Sequence, residues 1–178
     1  MKEKRIYGCD NILIRIAELT DAPNIAKVNI DTWKNTYQGI VSDEYLNNLS
    51  YEQREQAIKN IINIDNDKKF VYVAEDNRDG VIGFISCGKE RENDKIYAGE
   101  IYAVYILKKF QNLGIGKLLF NCAIEILEED NLIPIIVWAL EENKYACNFY
   151  EVMGGRKIKE RYIHIGNQKI KEVAYGFV

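Results

Sequence analysis

The segment from Gln111 to Lys117 is the part of the chain whose residue types and spacing point most directly to chemistry. It follows a strand-like segment, contains Gly114 and Gly116, and leads into a helical pattern. A glycine loop that opens a helix is a common phosphate site, because unpaired backbone N–H groups point outward and the helix dipole favours negative charge. The segment therefore predicts a ligand that carries phosphate.

Two common phosphate-binding loops do not fit this spacing. A Walker A loop would require a glycine in place of Gln111 and a serine or threonine in place of Leu118. A dinucleotide-binding fingerprint would require a glycine or alanine in place of Leu119. The pattern that remains is Gln-x-x-Gly-x-Gly.

Hydrophobic periodicity places this loop within a mixed series of strands and helices. Strand patterns cover Ile12–Leu19, Phe70–Glu75, Val81–Cys87, Ile96–Ile106, Ile133–Leu140, Arg156–Ile165 and Lys169–Val178. Helical patterns cover Thr20–Gly39, Ser42–Leu49, Tyr51–Ile62, Gly116–Glu129 and Asn143–Met153. The predicted order is β-α-α-α-β-β-β-α-β-α-β-β.

The loop and the element order together resemble the GNAT family of acetyl-coenzyme A-dependent N-acetyltransferases, whose signature is [Arg/Gln]-x-x-Gly-x-[Gly/Ala] after a central strand. A second family segment is matched by Asn143-x-x-Ala146-x-x-Phe149-Tyr150-x-x-x-Gly154. The resemblance covers nearly the whole chain. It implies one domain over residues 1–178 with an α/β fold, in which helices flank a mixed central sheet of about six to seven strands with a splayed central strand.

The resemblance also implies that acetyl-coenzyme A is the acyl donor, and it indicates the residues that would bind it. These are Val104, Tyr105 and Ile106 on the splayed strand, Gln111, Asn112, Leu113, Gly114, Ile115, Gly116 and Lys117 in the loop, and Asn143, Ala146 and Tyr150 in the second segment. In the family, loop amides meet the pyrophosphate and a strand bulge frees backbone groups for the pantetheine and the acetyl oxygen. The alternatives are an ordinary helix-capping loop and an unbroken strand.

Two residues are candidates for proton transfer. Tyr150 would donate a proton to the departing thiolate, and the alternative is a packed aromatic whose hydroxyl binds backbone. Glu100 would deprotonate the amine, often through water in the family, and strict alternation would place it on one face with Tyr102, Val104 and Ile106. The alternative is a solvated carboxylate at a strand end. His164 lies in the predicted C-terminal hairpin, where a structural role is expected.

Selection of the amine is expected at the first helix. Trp33 and Tyr37 lie one turn apart, and similar segments line the acceptor groove in a subset of the family. Core packing is the alternative. The acceptor itself stays open among a small-molecule amine, a polyamine and a peptide N-terminus. The acidic residues near the expected groove, Asp43, Glu44 and Glu52, are too few to favour a polyamine.

Composition excludes several other classes of protein. The net charge of −3 comes without a basic patch, so nucleic acid is not an expected partner. Four cysteines without a C-x-x-C pair and a single histidine argue against a zinc site. There is no membrane-length apolar run and no secretion signal, which predicts a cytoplasmic protein. A homodimer is possible, and the competing function is an acetyl-coenzyme A sensor or interaction module that has lost catalysis.

Overall fold

A computed structural model describes residues 7–9, 11–63 and 69–178. Eight strands form one sheet: β1 (Tyr7–Cys9), β2 (Ile12–Ile16), β3 (Lys69–Asp76), β4 (Gly80–Lys89), β5 (Gly99–Ile106), β6 (Ile135–Leu140), β7 (Arg156–Ile165) and β8 (Gln168–Phe177). Five α-helices accompany them: α1 (Ala22–Thr36), α2 (Asp43–Asn47), α3 (Tyr51–Asn63), α4 (Ile115–Glu129) and α5 (Lys144–Val152).

The strand order across the sheet is β1-β2-β3-β4-β5-β6-β8-β7. All neighbouring strands are antiparallel except β5 and β6, which are parallel. The predicted α/β fold with a mixed, helix-flanked sheet is confirmed. The three-residue β1 is an edge strand that sequence patterns did not reveal.

Helices cover the sheet on both faces. On one face, α4 and α5 contribute Leu119, Ala123 and Tyr150 to the largest hydrophobic cluster, which we call the α4 face. On the other face, α1 and α3 contribute Ile25 and Ile58 to a second cluster, which we call the α1 face. The apolar residues of α4, among them Leu119 and Ala123, therefore form the surface that this helix buries.

The predicted strand over Ile96–Ile106 begins later than expected, at Gly99. The residues before it form a loop in which the Asp94 carboxylate accepts hydrogen bonds from the backbone N–H groups of Ile96 (2.8 Å) and Tyr97 (3.1 Å). These N–H groups are thereby withdrawn from any strand ladder. The loop lies beside the start of β5.

A bulge and a gap interrupt β5 in its middle. Ser86 of β4 pairs with Ala103 and Cys87 pairs with Ile101, so Tyr102 is an extra residue without a partner in this ladder. On its other side, β5 pairs with β6 only as far as Ile101. From Tyr102 onward the two strands diverge, and this divergence is the splayed central strand that was predicted.

Candidate functional site

A cavity of about 660 Å³ lies in the gap between β5 and β6. One part of its wall belongs to the glycine loop and to the α4 face, and we call this part the loop end; its residues are Val104, Ile106, Gln111, Asn112, Gly114, Gly116, Lys117, Ala146 and Phe149. The other part belongs to the α1 face, and we call it the α1 end; its residues are Thr32, Asn35, Thr36, Tyr37, Ile40, Tyr102, Ala103, Tyr105 and Trp138. The cavity therefore passes through the sheet.

The bulge explains how one strand serves both ends. Ala103 and Tyr105 pack with the cluster of the α1 face, whereas Ile101, Val104 and Ile106 pack with that of the α4 face. Strict alternation would have placed Ile101 with Ala103 and Tyr105. Because of the extra residue, Tyr102, every later side chain of β5 lies on the face opposite to the one that strict alternation predicts. The prediction that Glu100 shares a face with Val104 and Ile106 is therefore wrong.

The backbone of the glycine loop has the conformation that an N-terminal anion site requires. Gly114 is the N-cap of α4 with φ of 81°, and a side chain there would meet no atom within 4 Å. Leu118 donates the first backbone bond of the helix, to the carbonyl of Gly114 at 3.2 Å. The N–H groups of the preceding turn have no intrahelical acceptor. They are available to an anionic ligand, with the helix dipole favouring it.

Two side chains, those of Gln111 and Tyr145, hold this loop in place. The Gln111 amide donates to the carbonyl of Ile106 at 2.9 Å, which ties the loop to the end of β5. The Tyr145 hydroxyl of α5 donates to Oδ1 of Asn112, which has φ of 62°. Of the predicted binding residues, Leu113 is exposed and Ile115 is buried in the core, so only their backbone groups remain available.

Positive side chains surround the loop end. Lys108, Lys117 and Lys144 line the cavity, and Glu142 is the acidic residue among the lining residues that the structure describes. Their charge suits a ligand with phosphate groups. The predicted acidic residues Asp43, Glu44 and Glu52 are exposed and belong to α2 and α3 rather than to the cavity wall.

Helix α5 brings Asn143, its N-cap, and Tyr150, near its C-terminal end, to the cavity wall. The Asn143 side chain caps the helix by accepting a bond from the Ala146 N–H at 3.1 Å. Tyr150 is 6% exposed, and its ring lies 5.4 Å from that of Phe149 and 5.9 Å from that of Tyr175. Burial raises the pKa of Tyr150 above its ordinary value of 10.0, so the hydroxyl keeps its proton in the neutral and mildly alkaline range.

Tyr37 connects the two ends. Burial raises the pKa of Tyr37, and hydrogen bonds with Tyr105 and Asn143 partly oppose that rise. The Trp33 indole N–H donates to the Tyr105 hydroxyl at 3.0 Å, and the Trp33 ring meets the Tyr37 ring edge-on at 4.7 Å. Of the two predicted acceptor residues, Tyr37 lines the cavity and Trp33 packs behind it.

Glu100 is committed to an ion pair. It is 2% exposed and accepts bonds from the Arg91 side chain (Nε, 3.0 Å) and from the Arg91 backbone N–H (3.2 Å). The same carboxylate raises the pKa of Arg91 through this bond. The Arg91 guanidinium also lies 4.6 Å from the centre of the Tyr102 ring. Glu100 thus fixes the loop before β5 and lies outside the cavity wall.

Sequence reasoning missed several residues of the α1 end. Tyr102 and Trp138 line the cavity because the bulge and the gap expose them, and no local sequence signal marks either feature. Thr32 also lines it, and buried Oγ1 of Thr32 and Oδ1 of Asn29 have no hydrogen-bond partner within the described part of the chain. Helical spacing from Tyr37 does not mark Thr32, because the two residues are five positions apart. His164 is exposed on β7, away from the cavity.

Other kinds of site find little support in the described residues. Within ranges 7–9, 11–63 and 69–178, no group of three or more His, Cys, Asp or Glu side chains could hold a metal ion. Among the helices of the same ranges, none has the length and apolar character needed to cross a membrane.

Comparison with known proteins gives consistent matches along the chain. Residues 31–154 match the model of the acetyltransferase (GNAT) family. The uncharacterized N-acetyltransferase YuaI of Bacillus subtilis is 34% identical over 93% of this chain and 92% of its own length. The spermidine N(1)-acetyltransferase of Thermoplasma acidophilum is 24% identical over 79% of this chain and 85% of its own.

Solved structures give the same architecture at lower identity. The PaiA N-acetyltransferase of Thermoplasma acidophilum in complex with coenzyme A has a TM-score of 0.72 and 22% identity, over 90% of this chain and 97% of that chain. The ribosomal-protein-alanine N-acetyltransferase of Brucella melitensis has a TM-score of 0.74 and 23% identity, over 93% and 99%.

Proposed function

The chain belongs to the GNAT acetyltransferase family and is thus an acetyl-coenzyme A-dependent N-acetyltransferase. We propose that it transfers the acetyl group directly to a primary amine in the cavity between β5 and β6. The observation that carries this proposal is the passage of the cavity through the sheet. Acyl donor and amine can then approach the reaction centre from opposite faces. The relatives described above act on different acceptors, which are spermidine for one and a ribosomal-protein alanine for another.

Backbone groups at the loop end hold the acyl donor in this proposal. The pyrophosphate meets the free N–H groups of the segment Gln111–Lys117, with Lys117 adding charge. The pantetheine lies along β5 at Val104, Tyr105 and Ile106, where no β6 ladder uses the backbone. A backbone N–H there polarises the thioester carbonyl. Bound acetyl-coenzyme A supplies the activated acetyl group.

Tyr150 protonates the leaving thiolate. The amine nitrogen attacks the carbonyl carbon, the C–S bond breaks, and the sulfur takes the Tyr150 proton. The proton that the amine loses to water balances the proton that water returns to the Tyr150 phenolate. Burial makes this phenol a weaker acid, since it raises its pKa. The thiolate leaves into the same water-poor surroundings, which raise its basicity for the same physical reason. The two effects offset each other, so the transfer stays accessible.

Water takes the proton from the amine. Glu100, predicted as the base, is bound to Arg91 and lies outside the cavity wall, and this geometry counts against a direct role. Among the described lining residues, Glu142 is the remaining carboxylate, and it is exposed at the rim. No buried carboxylate in the described part of the chain therefore lines the cavity as a base. The amine therefore needs only to enter in its neutral form.

Tyr150→Phe tests the proposal, because it keeps the ring contacts and removes only the proton donor. We expect kcat to fall about 10²–10⁴-fold, or roughly 3–5 kcal/mol of barrier, with the acetyl-coenzyme A Kd unchanged. The measurements are stopped-flow turnover and calorimetry. Tyr175→Phe is the control, since its ring packs against Tyr150 from β8 and its hydroxyl bonds to Glu151 instead.

The pH profile adds a second readout. With the pKa of Tyr150 raised above 10.0 by burial, its donating form persists as the pH rises through 10. The wild-type kcat should therefore show no descending limb below that pH. If Tyr150→Phe kept nearly full kcat under conditions where chemistry limits turnover, Tyr150 would not be the proton donor. A descending limb near pH 8 would contradict the assigned protonation state.

A further inference from the structure

Packed side chains close one flank of the α1 end. Tyr37 and Ile40 of the cavity wall belong to a hydrophobic cluster that also contains Leu140 of β6, Ile165 of β7 and Ile170 of β8. The segment after α1 therefore packs directly against the C-terminal strands. A polypeptide could pass between them only by breaking this cluster.

A polar and an aromatic contact reinforce the closure, and we call the pair the clasp. The backbone N–H of Ser42 donates to the side-chain oxygen of Gln168 at 2.6 Å. Gly166, at the tip of the β7–β8 hairpin, is so near the Tyr45 ring that a Cβ there would lie 3.3 Å from it. The clasp ties the hairpin to the start of α2.

Two arginines cover the aromatic residues on the other flank. The Arg91 guanidinium lies 4.6 Å from the ring centre of Tyr102, and that of Arg161 lies 3.9 Å from the ring centre of Trp138. Both rings line the cavity. A guanidinium therefore already occupies one face of each of these rings, and that face is not free to bind a cationic ligand.

The carboxylates beside the α1 end are already paired. Glu100 binds Arg91, while Glu172 (2.9 Å) and Glu92 both bind Arg161. A polyamine carries several positive charges and needs several carboxylates that are free to accept them. These three carboxylates, which lie beside the cavity wall, are matched by arginine.

From the clasp, the stacked arginines and the paired carboxylates, we infer that the acceptor is a small molecule with one amine on a largely apolar or aromatic body. This inference rests on the proposed function and narrows it. Tyr37, Tyr102, Tyr105 and Trp138 offer apolar area for such a body. Polyamines are excluded by charge, and polypeptide N-termini are excluded by the closed flank.

A panel of three amines tests the inference on the wild-type enzyme. Release of coenzyme A is followed with phenethylamine, with spermidine and with a tetrapeptide that has a free N-terminal alanine. We expect kcat/KM for phenethylamine to exceed that for either other amine about tenfold or more. A higher value for spermidine or the peptide would overturn the inference and leave amine acetylation standing. No turnover of any amine, with acetyl-coenzyme A still bound, would overturn both.

A charge variant tests the electrostatic part separately. Arg161→Gln removes the cation above Trp138 and leaves Glu92 and Glu172 without their partner. We expect the ratio of kcat/KM for spermidine to that for phenethylamine to rise about threefold to tenfold. Arg156→Gln is the control, because it removes the same charge from an exposed position on the same strand. Equal ratios in the two variants would overturn the exclusion of polyamines by charge.

Discussion

The loop end of the cavity offers mainly backbone groups, from the glycine loop and the adjoining part of β5, whereas the α1 end offers side chains from three separate elements. At the loop end, the wall depends on the φ angle of Gly114 and on the free N–H groups that follow it. At the α1 end, it depends on rings from α1, β5 and β6 that meet only in the folded protein. The first end should therefore be sensitive to backbone strain, and the second to the removal of single polar atoms.

Gly114→Val should have the largest effect of the substitutions described below. If it did not, the contrast between the loop end and the α1 end would be wrong. Valine is strained at φ of 81°, so the loop must move and its N–H groups lose their alignment. We expect the Kd for acetyl-coenzyme A, measured by calorimetry, to rise about 100-fold. Gly80→Val is the control, since Gly80 has φ of 71° and equally open surroundings in the β3–β4 turn. Gly80→Val should lower the stability of the protein and leave the Kd for acetyl-coenzyme A unchanged.

Tyr37→Phe sharpens the comparison at the other end. The ring stays, but the hydroxyl that interacts with Tyr105 and Asn143 is lost. We expect the acceptor KM to rise about threefold to tenfold, because a net hydrogen bond is worth about 1 kcal/mol, with the acetyl-coenzyme A Kd unchanged. Trp33→Phe, behind the wall, should lower the melting temperature instead. Equal loss of affinity for both substrates in Tyr37→Phe would show that the ends are not separate.

Glu100→Gln decides between an anchor and a base. As an anchor, the carboxylate fixes Arg91 and the loop before β5, so its loss should destabilise the fold by about 1–3 kcal/mol in chemical denaturation. The value of kcat/KM should then fall less than about threefold, with an unchanged pH profile. As a base, it would instead lose roughly 10²-fold or more in kcat/KM and change the acid limb of the profile. Arg91→Gln should reproduce the anchor phenotype.

Thr32→Val should give the smallest effect. The buried hydroxyl of Thr32 has no partner in the described structure, so a methyl group of the same shape removes a desolvated polar atom. The free energy of unfolding should rise by up to about 1 kcal/mol. Thr36→Val, one turn further and half-buried, is the comparison. A clear destabilisation by Thr32→Val would reveal that the hydroxyl binds a partner, such as an ordered water.

The same contrast explains what could be predicted from the sequence. The glycine loop and its helix are local, so Gln111, Gly114 and Gly116 indicated them directly. The element order followed from hydrophobic periodicity for the same reason. The α1 end depends on tertiary contacts, and the sequence did not distinguish Tyr37 in the wall from Trp33 behind it.

The assignment of Glu100 shows why alternation alone was insufficient. Side chains alternate regularly along β5 only as far as Tyr102. After this extra residue, every later side chain lies on the face opposite to the one that strict alternation predicts. Whether a strand contains such a residue depends on its register with β4, which the hydrophobic pattern within β5 does not set. Without that register, the face of Glu100 relative to Val104 could not be predicted.

The bulge at Tyr102 makes the number of residues in β5 as consequential as their identity. Inserting one residue into β4 opposite Tyr102 would restore regular pairing and would reverse the side of every later β5 residue relative to Ile101. Val104 and Ile106 could then no longer share a side with Ile101. The chain would keep nearly every residue named above, yet donor and acceptor walls would be assembled from the wrong members. In this protein, the walls of the cavity that passes through the sheet depend on one residue by which β5 exceeds its partner β4.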